Sequence, residues 1–123
     1  MPKVAVYGTL KSGYHNHHYL GIHAKLHDVA LTQDTYLMVD AGGYPAIIPS
    51  LRGKKVWVEV YEVGEGIIKQ LDQLEGVPHL FVKTETYTDD LDEVILYVGN
   101  LDRFKDHPPY ERNKDPHFWD WEG

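Results

Sequence analysis

Apolar positions along this chain fall into short runs separated by glycine, proline and acidic turns, and only one stretch repeats at helical spacing. In Lys3 to Tyr7 the apolar residues run together, and Val and Tyr favour pleated geometry, which predicts a central strand. Ser12 to His18 is polar and glycine-punctuated and reads as loop. Tyr19 to Ala24 suits a short helical turn leading into a strand over Leu26–Thr32. Tyr36–Val39 is a further short strand and Asp40-Ala41-Gly42-Gly43 a turn. Tyr44–Pro49 is expected at an edge, because a proline near each end limits pairing. Lys55 to Val63 alternates most cleanly: Val56, Val58 and Val60 share one face, and Trp57, Glu59 and Tyr61 the other. Bulk on both faces predicts burial on both sides, as in a barrel wall.

The helical stretch is Glu65 to Leu74, where Ile67, Leu71 and Leu74 fall at i, i+4 and i+7 and Ile68 widens the stripe. Gly76 follows as a C-terminal cap and Pro78 prevents continuation, so Glu75 sits where the helix ends. Strands are expected around Leu80–Thr88 and Val94–Val98, joined through Asp89-Asp90-Leu91-Asp92. Six or seven short strands, one clear helix and short helical turns predict an α+β domain on a small mixed β-barrel or strongly twisted sheet. The pattern occupies residues 1–100. Residues 101–123 form an aromatic tail in which Tyr110, Phe118, Trp119 and Trp121 are expected to pack on the domain or a partner chain, with a lid over a ligand site as the sharper alternative.

Composition narrows the function classes. A chain of 123 residues, 42% hydrophobic, can bury one core without staples. It has no cysteine, which excludes disulfides, thiolate metal sites and cysteine nucleophiles. A formal net charge of −7 with scattered Lys and Arg argues against nucleic acid and favours a small-molecule ligand. Neither a signal-peptide core nor a membrane-spanning run is present in the sequence, and the cytoplasm is the expected location.

Val4-Ala5-Val6-Tyr7-Gly8-Thr9-Leu10-Lys11-Ser12-Gly13 is the first candidate for chemistry. A strand stops at a glycine, meets a hydroxyl residue and opens into a loop closing on a second glycine. Successive main-chain N–H groups in such a turn can hold a carboxylate or an oxyanion, although a plain strand-to-loop turn has the same composition. Glu75 is the second. A carboxylate at the negative end of a helix tends towards a raised pKa, more so if buried, which suits a general acid or base near neutrality; an exposed Glu on a last turn is the bland alternative. Glu59, mid-strand among valines and aromatics, is a rival carboxylate expected to be paired or exposed. His15, His17 and His18 invite a metal hypothesis, but they lack helical spacing and a neighbouring carboxylate, so a solvated loop is expected. Ser12 and Ser50 have no nucleophile-elbow context.

Taken together, Val4 to Lys11, Gly43-Tyr44-Pro45-Ala46, Glu59-Val60-Tyr61-Glu62-Val63 and Leu71-Asp72-Gln73-Leu74-Glu75-Gly76 resemble the γ-glutamylcyclotransferase-like superfamily, in particular its γ-glutamylamine cyclotransferase and AIG2-like group. The resemblance spans roughly residues 3 to 100. It implies a small β-barrel with a cavity between the Tyr-Gly-Thr-Leu loop and the Glu of the Leu-Glu-Gly motif. Tyr7, Gly8, Thr9 and Leu10 would hold a glutamyl moiety, Tyr97 would line the pocket, and Glu75 would be the catalytic residue. The implied reaction converts a γ-glutamyl amine or γ-glutamyl peptide to 5-oxoproline and a free amine, with no metal or organic cofactor, in a monomer or homodimer. Val58, Phe81 and Lys83 stand where the family pattern has glycine, tyrosine and arginine. Two other readings stay open: a non-catalytic module binding a carboxylate-bearing metabolite in the same pocket, and a protein-interaction domain using the aromatic tail.

Overall fold

In the computed structural model, which describes residues 1–123, β1 (Lys3–Val6) runs through the middle of the main sheet. It pairs antiparallel with β5 (Lys55–Glu62) and parallel with β7 (Glu93–Gly99). Beyond β5 lies β2 (Lys25–Leu31) and beyond β7 lies β6 (Phe81–Tyr87), giving the order β2-β5-β1-β7-β6. A two-residue strand, β8 (Phe118–Trp119), adds to β5 in parallel. A separate ribbon pairs β3 (Tyr36–Asp40) with β4 (Pro45–Pro49); β4 has no other strand neighbour, as its prolines require. The sheet curls without closing. The residues just past its edge strands β2 and β6, Thr32 and Thr88, form an isolated antiparallel bridge, so the wall is barrel-like but open.

The central strands β1 and β7 are buried because the sheet is covered on both faces there, whereas the edge strands β2 and β6 are largely exposed. Ala5, Val56, Val58, Val60, Val94, Leu96 and Val98 point to one core, and Val4, Val6, Tyr61, Ile95 and Tyr97 to the other. A run of consecutive apolar residues is what such a doubly covered strand demands. In β5 only the valine face is fully sealed: Trp57 and Glu59 are part-exposed, so the two-sided burial expected there holds at Tyr61 but not along the whole strand. The second core is completed by α1 (Glu65–Leu74), which buries Leu71 completely and rests Ile67, Ile68 and Leu74 against it.

Two segments differ from the sequence expectation. The helical turn before β2 is a 3₁₀ turn at His17–Leu20 rather than Tyr19–Ala24, because Gly21 at φ 90° ends it and Leu20 is the residue that reaches the core. Beyond Asn100 the chain is not patternless. Asn100 accepts from the Asp102 amide as an N-cap for α2 (Leu101–Phe104), which places Phe104 in the second core. Tyr110, Trp119 and Trp121 then enter the first core, and the Trp119 indole donates to the Tyr36 carbonyl at 2.8 Å. Lys54 lies 4.6 Å over the Trp119 ring. No helix is long and apolar enough to cross a membrane.

The tail is therefore part of the core, and Trp119→Ala should cost about 3–5 kcal/mol of folding stability, as for other buried aromatic truncations. Urea denaturation of the two proteins measures this, and a loss below about 1 kcal/mol would be typical of a surface position instead.

Candidate active site

Where β1 ends, the chain loses its pairing partners but stays largely buried. Tyr7 stays buried, and its hydroxyl donates to the Tyr97 carbonyl at 2.8 Å, tying the end of β1 to β7. Gly8 is required by a neighbour rather than by its own backbone angles: a Cβ there would lie 2.8 Å from Pro45 Cγ at the start of β4. The loop then folds on itself. Lys11 N donates to the Gly8 carbonyl, Asn16 N to the Thr9 carbonyl and the His17 Nδ1 hydrogen to the Leu10 carbonyl at 2.8 Å. The loop's carbonyls are thereby occupied, whereas the N–H groups of Gly8, Thr9 and Leu10 have no acceptor within the protein. Three successive free donors make a pocket for negative charge.

Facing this loop is the end of α1. Val77 N donates to the Asp72 carbonyl and Gly76 N to the Gln73 carbonyl, with Gly76 at φ 61°, a Schellman closure that leaves Glu75 as the last residue of helical conformation. The Glu75 backbone is held at both ends, its N–H by the Leu71 carbonyl at 2.8 Å and its carbonyl by the Phe81 N–H at 3.2 Å. Its side chain lines the same cavity as Tyr7, Gly8, Thr9, Leu10 and Tyr97, so all six residues singled out from the sequence come together. Tyr44, Pro45 and Phe81 complete the walls of this space of about 380 Å³, which includes the solvent at its mouth. Tyr44 and Pro45 were visible in the sequence only as motif residues, with no sign that they would form a wall.

Two carboxyls three residues apart on α1 are driven in opposite directions. Burial alone pushes the Glu75 carboxyl up to about 7. Burial also pushes Asp72 up, but hydrogen bonds from Lys83 (2.8 Å) and the Tyr97 hydroxyl (2.7 Å) outweigh it and hold Asp72 below the usual carboxylate range. Lys83, the departure from the family arginine, thus serves as the partner of Asp72. The Tyr7 and Tyr97 phenols are raised, chiefly by burial, and stay protonated at any physiological pH. Such a pair, one ionised and one poised near neutrality, is what separates a charge-holding group from a proton-transferring one.

A second groove, of about 820 Å³ with the open solvent above it, borders the first. Thr9, Tyr44, Glu75 and Phe81 belong to both, and His15, Asn16, Leu74 and Leu80 line only the outer part. Other candidates lie elsewhere. Glu59 is paired, accepting from Ser12 N (2.8 Å) and the Tyr61 hydroxyl (2.9 Å), and it lines neither space. His15, His17 and His18 belong to no group of three or more His, Asp or Glu side chains placed to hold a metal ion. None of the tail aromatics lines the cavity, so the lid expectation is not met; the tail instead reaches the loop from behind, where Lys11 Nζ donates to the Trp121 carbonyl at 2.7 Å.

Comparison with known proteins places these features in a wider set. The family model described as "Gamma-glutamyl cyclotransferase, AIG2-like" matches residues 4–121, past the Asn100 limit of the sequence motifs. The γ-glutamylaminecyclotransferase of Bos taurus is 40% identical over 93 residues, covering 68% of this chain and 54% of the relative. The γ-L-glutamyl-butirosin B γ-glutamyl cyclotransferase of Niallia circulans is 40% identical over 76 residues, covering 61% and 46%. The chain thus spans about half the length of these curated relatives. The crystal structure of an AIG2-like protein from Mus musculus superposes with a TM-score of 0.75 at 25% identity, covering 100% of this chain and 98% of that one.

The raised pKa of Glu75 has a consequence for folding. An unfolded glutamate titrates near 4.3, so between there and about 7 the folded chain keeps a proton that the unfolded chain releases. The stability this contributes is full below about pH 4 and is lost as pH rises through 7. Glu75→Gln removes the titration, and the variant should exceed the wild type in stability at pH 8 by about 3–4 kcal/mol, the gap closing towards pH 4. Urea denaturation across that pH range measures it; a gap independent of pH would remove burial of Glu75 as the cause.

Proposed function

The chain belongs to the AIG2-like γ-glutamyl cyclotransferase family, and from that premise we propose that its cavity converts a γ-glutamyl amine or γ-glutamyl peptide to 5-oxoproline and a free amine, with Glu75 as general acid and base. The observation that carries this reading is the facing of two chemistries across one space: the unpaired N–H groups of Gly8, Thr9 and Leu10, and a desolvated carboxyl poised near pH 7.

The glutamyl chain lies in the inner cavity, its methylenes against Tyr44 and Phe81 and its negative charge on the loop amides. Folding that chain brings the α-nitrogen onto the side-chain carbonyl carbon, a pre-organisation that supplies much of the acceleration. The α-amine is largely protonated at neutral pH and cannot attack until a base takes a proton. That first proton passes to solvent; the free amine attacks, ionised Glu75 takes a second proton from the same nitrogen as the new C–N bond forms, and the carbonyl oxygen becomes an oxyanion held by N–H donors. The tetrahedral carbon then collapses, the original C–N bond breaks, and protonated Glu75 returns its proton to the departing nitrogen. The ring leaves as 5-oxoproline and the nitrogen as a neutral amine. A group with pKa about 7 can act in both directions, since neither form is strongly favoured. Asp72, held ionised by Lys83 and Tyr97, anchors the wall beside it without competing for the proton.

Glu75→Gln keeps the volume and the fold and should lower 5-oxoproline release by at least about 10²-fold, the lower range for losing a general acid–base. In the wild type kcat/KM should rise with pH through about 7, as Glu75 gives up its proton, and that limb should vanish in any residual activity of the variant. Chromatographic assay of 5-oxoproline from a panel of γ-glutamyl amines and peptides measures both. Equal rates in the two proteins would remove Glu75 from the reaction, and no turnover of any panel member by the wild type would leave a binding module for a carboxylate-bearing metabolite.

A further inference from the structure

We propose that Asn16 is a positioning residue for the reaction: its side-chain amide fixes the Thr9 hydroxyl so that the hydroxyl proton is donated to the carbonyl oxygen of the scissile amide. This rests on the cyclotransferase reading of the cavity. Asn16 Nδ2 donates to Thr9 Oγ1 at 3.0 Å. A hydroxyl has one proton and two lone pairs, and an NH₂ group can only donate to it, so the Thr9 oxygen is the acceptor and its own proton is directed elsewhere. Thr32, Thr35, Thr84 and Thr86 each donate their hydroxyl proton to an oxygen of the protein. Thr9 and Thr88 have no such acceptor, and of the two only Thr9 lines the cavity and the outer groove.

Thr9 is also placed where a free proton matters. It is one of four residues shared by the inner cavity and the outer groove, and Glu75 is another. With the glutamyl part inside and the departing amine in the outer groove, the bond that breaks lies at this seam. The Thr9 hydroxyl then reaches the oxygen on which negative charge develops, beside the N–H groups of the loop, and its proton needs no reorientation at the moment of reaction. Asn16 is partly buried and lines only the outer groove, and its main-chain N–H separately holds the Thr9 carbonyl at 3.1 Å. The side chain can therefore be altered while the backbone tie that shapes the loop remains.

The test is a double-mutant cycle of Thr9→Val, Asn16→Asp and the two combined, with Asn16→Ala and Thr9→Ser alongside, reading kcat, KM and thermal midpoint for 5-oxoproline release. Asn16→Asp presents only acceptors, so it draws the hydroxyl proton back from the substrate. Thr9→Val should lower kcat about 10²-fold, in the range for one lost oxyanion donor. Asn16→Asp should approach that loss with KM and midpoint little changed, Asn16→Ala should fall between, and Thr9→Ser should retain most of the rate. In the Thr9→Val background the Asn16 changes should add nothing further, because they act through the missing hydroxyl. Wild-type turnover by Asn16→Asp, or losses that multiply in the double variant, would overturn the proposal while leaving the cyclotransferase reading intact. An inactive wild type would overturn both.

Discussion

A strand covered on both faces and hydrogen-bonded along both edges has no polar group to offer a ligand, and β1 is such a strand. Its neighbours β5 and β7 occupy its edges, and the two cores occupy its faces. The first backbone donors that the chain can leave free therefore come after Val6. There the pairing register ends, and Gly8 lets Pro45 approach too closely for any side chain to intervene. The position of the anion loop is thus a consequence of where β1 stops being paired. The free N–H groups are tolerable because they open on a cavity rather than on packed apolar atoms.

The opposite wall follows a second logic. A helix C-terminus needs its last carbonyls satisfied, and the closure at Gly76 does this within the chain. That leaves the Glu75 side chain free of structural duty, with no ion pair or hydrogen bond to stabilise its charge, and burial sets its proton affinity. Asp72, one turn earlier, receives the hydrogen bonds that Glu75 lacks. One short helix thereby supplies both a fixed charge and a titrating group, separated by the direction in which each side chain points and by which partners reach it.

The sequence was informative where a periodicity or a motif bore directly on geometry. The helix over Glu65–Leu74 and the central strand were legible because apolar spacing and turn residues act locally; the meeting of Tyr7 to Leu10 with Glu75 and Tyr97 was implied only by the resemblance of the motifs to a known family, since no local pattern joins residues so far apart in the chain. The part played by Lys83 was not, since its value depends on Asp72 eleven residues away and across a turn. Asn16 was passed over as a loop residue; nothing in its neighbours signals that its amide meets Thr9. The segment after Asn100 was misjudged for a different reason. Its Asn cap and its Leu101 and Phe104 at i and i+3 were present, but a single helical turn leaves too short a pattern to stand out. The aromatic residues beyond it read as a group that must find cover, without showing whether the domain or a partner chain supplies it.

The contact between Lys11 and the Trp121 carbonyl joins the two most distant parts of the chain behind the anion loop. During synthesis the loop emerges early, yet the ammonium that braces it waits for the acceptor at residue 121. The loop's last support therefore arrives only once residue 121 has been made, and a chain cut before it would carry the recognisable motifs without the brace behind them.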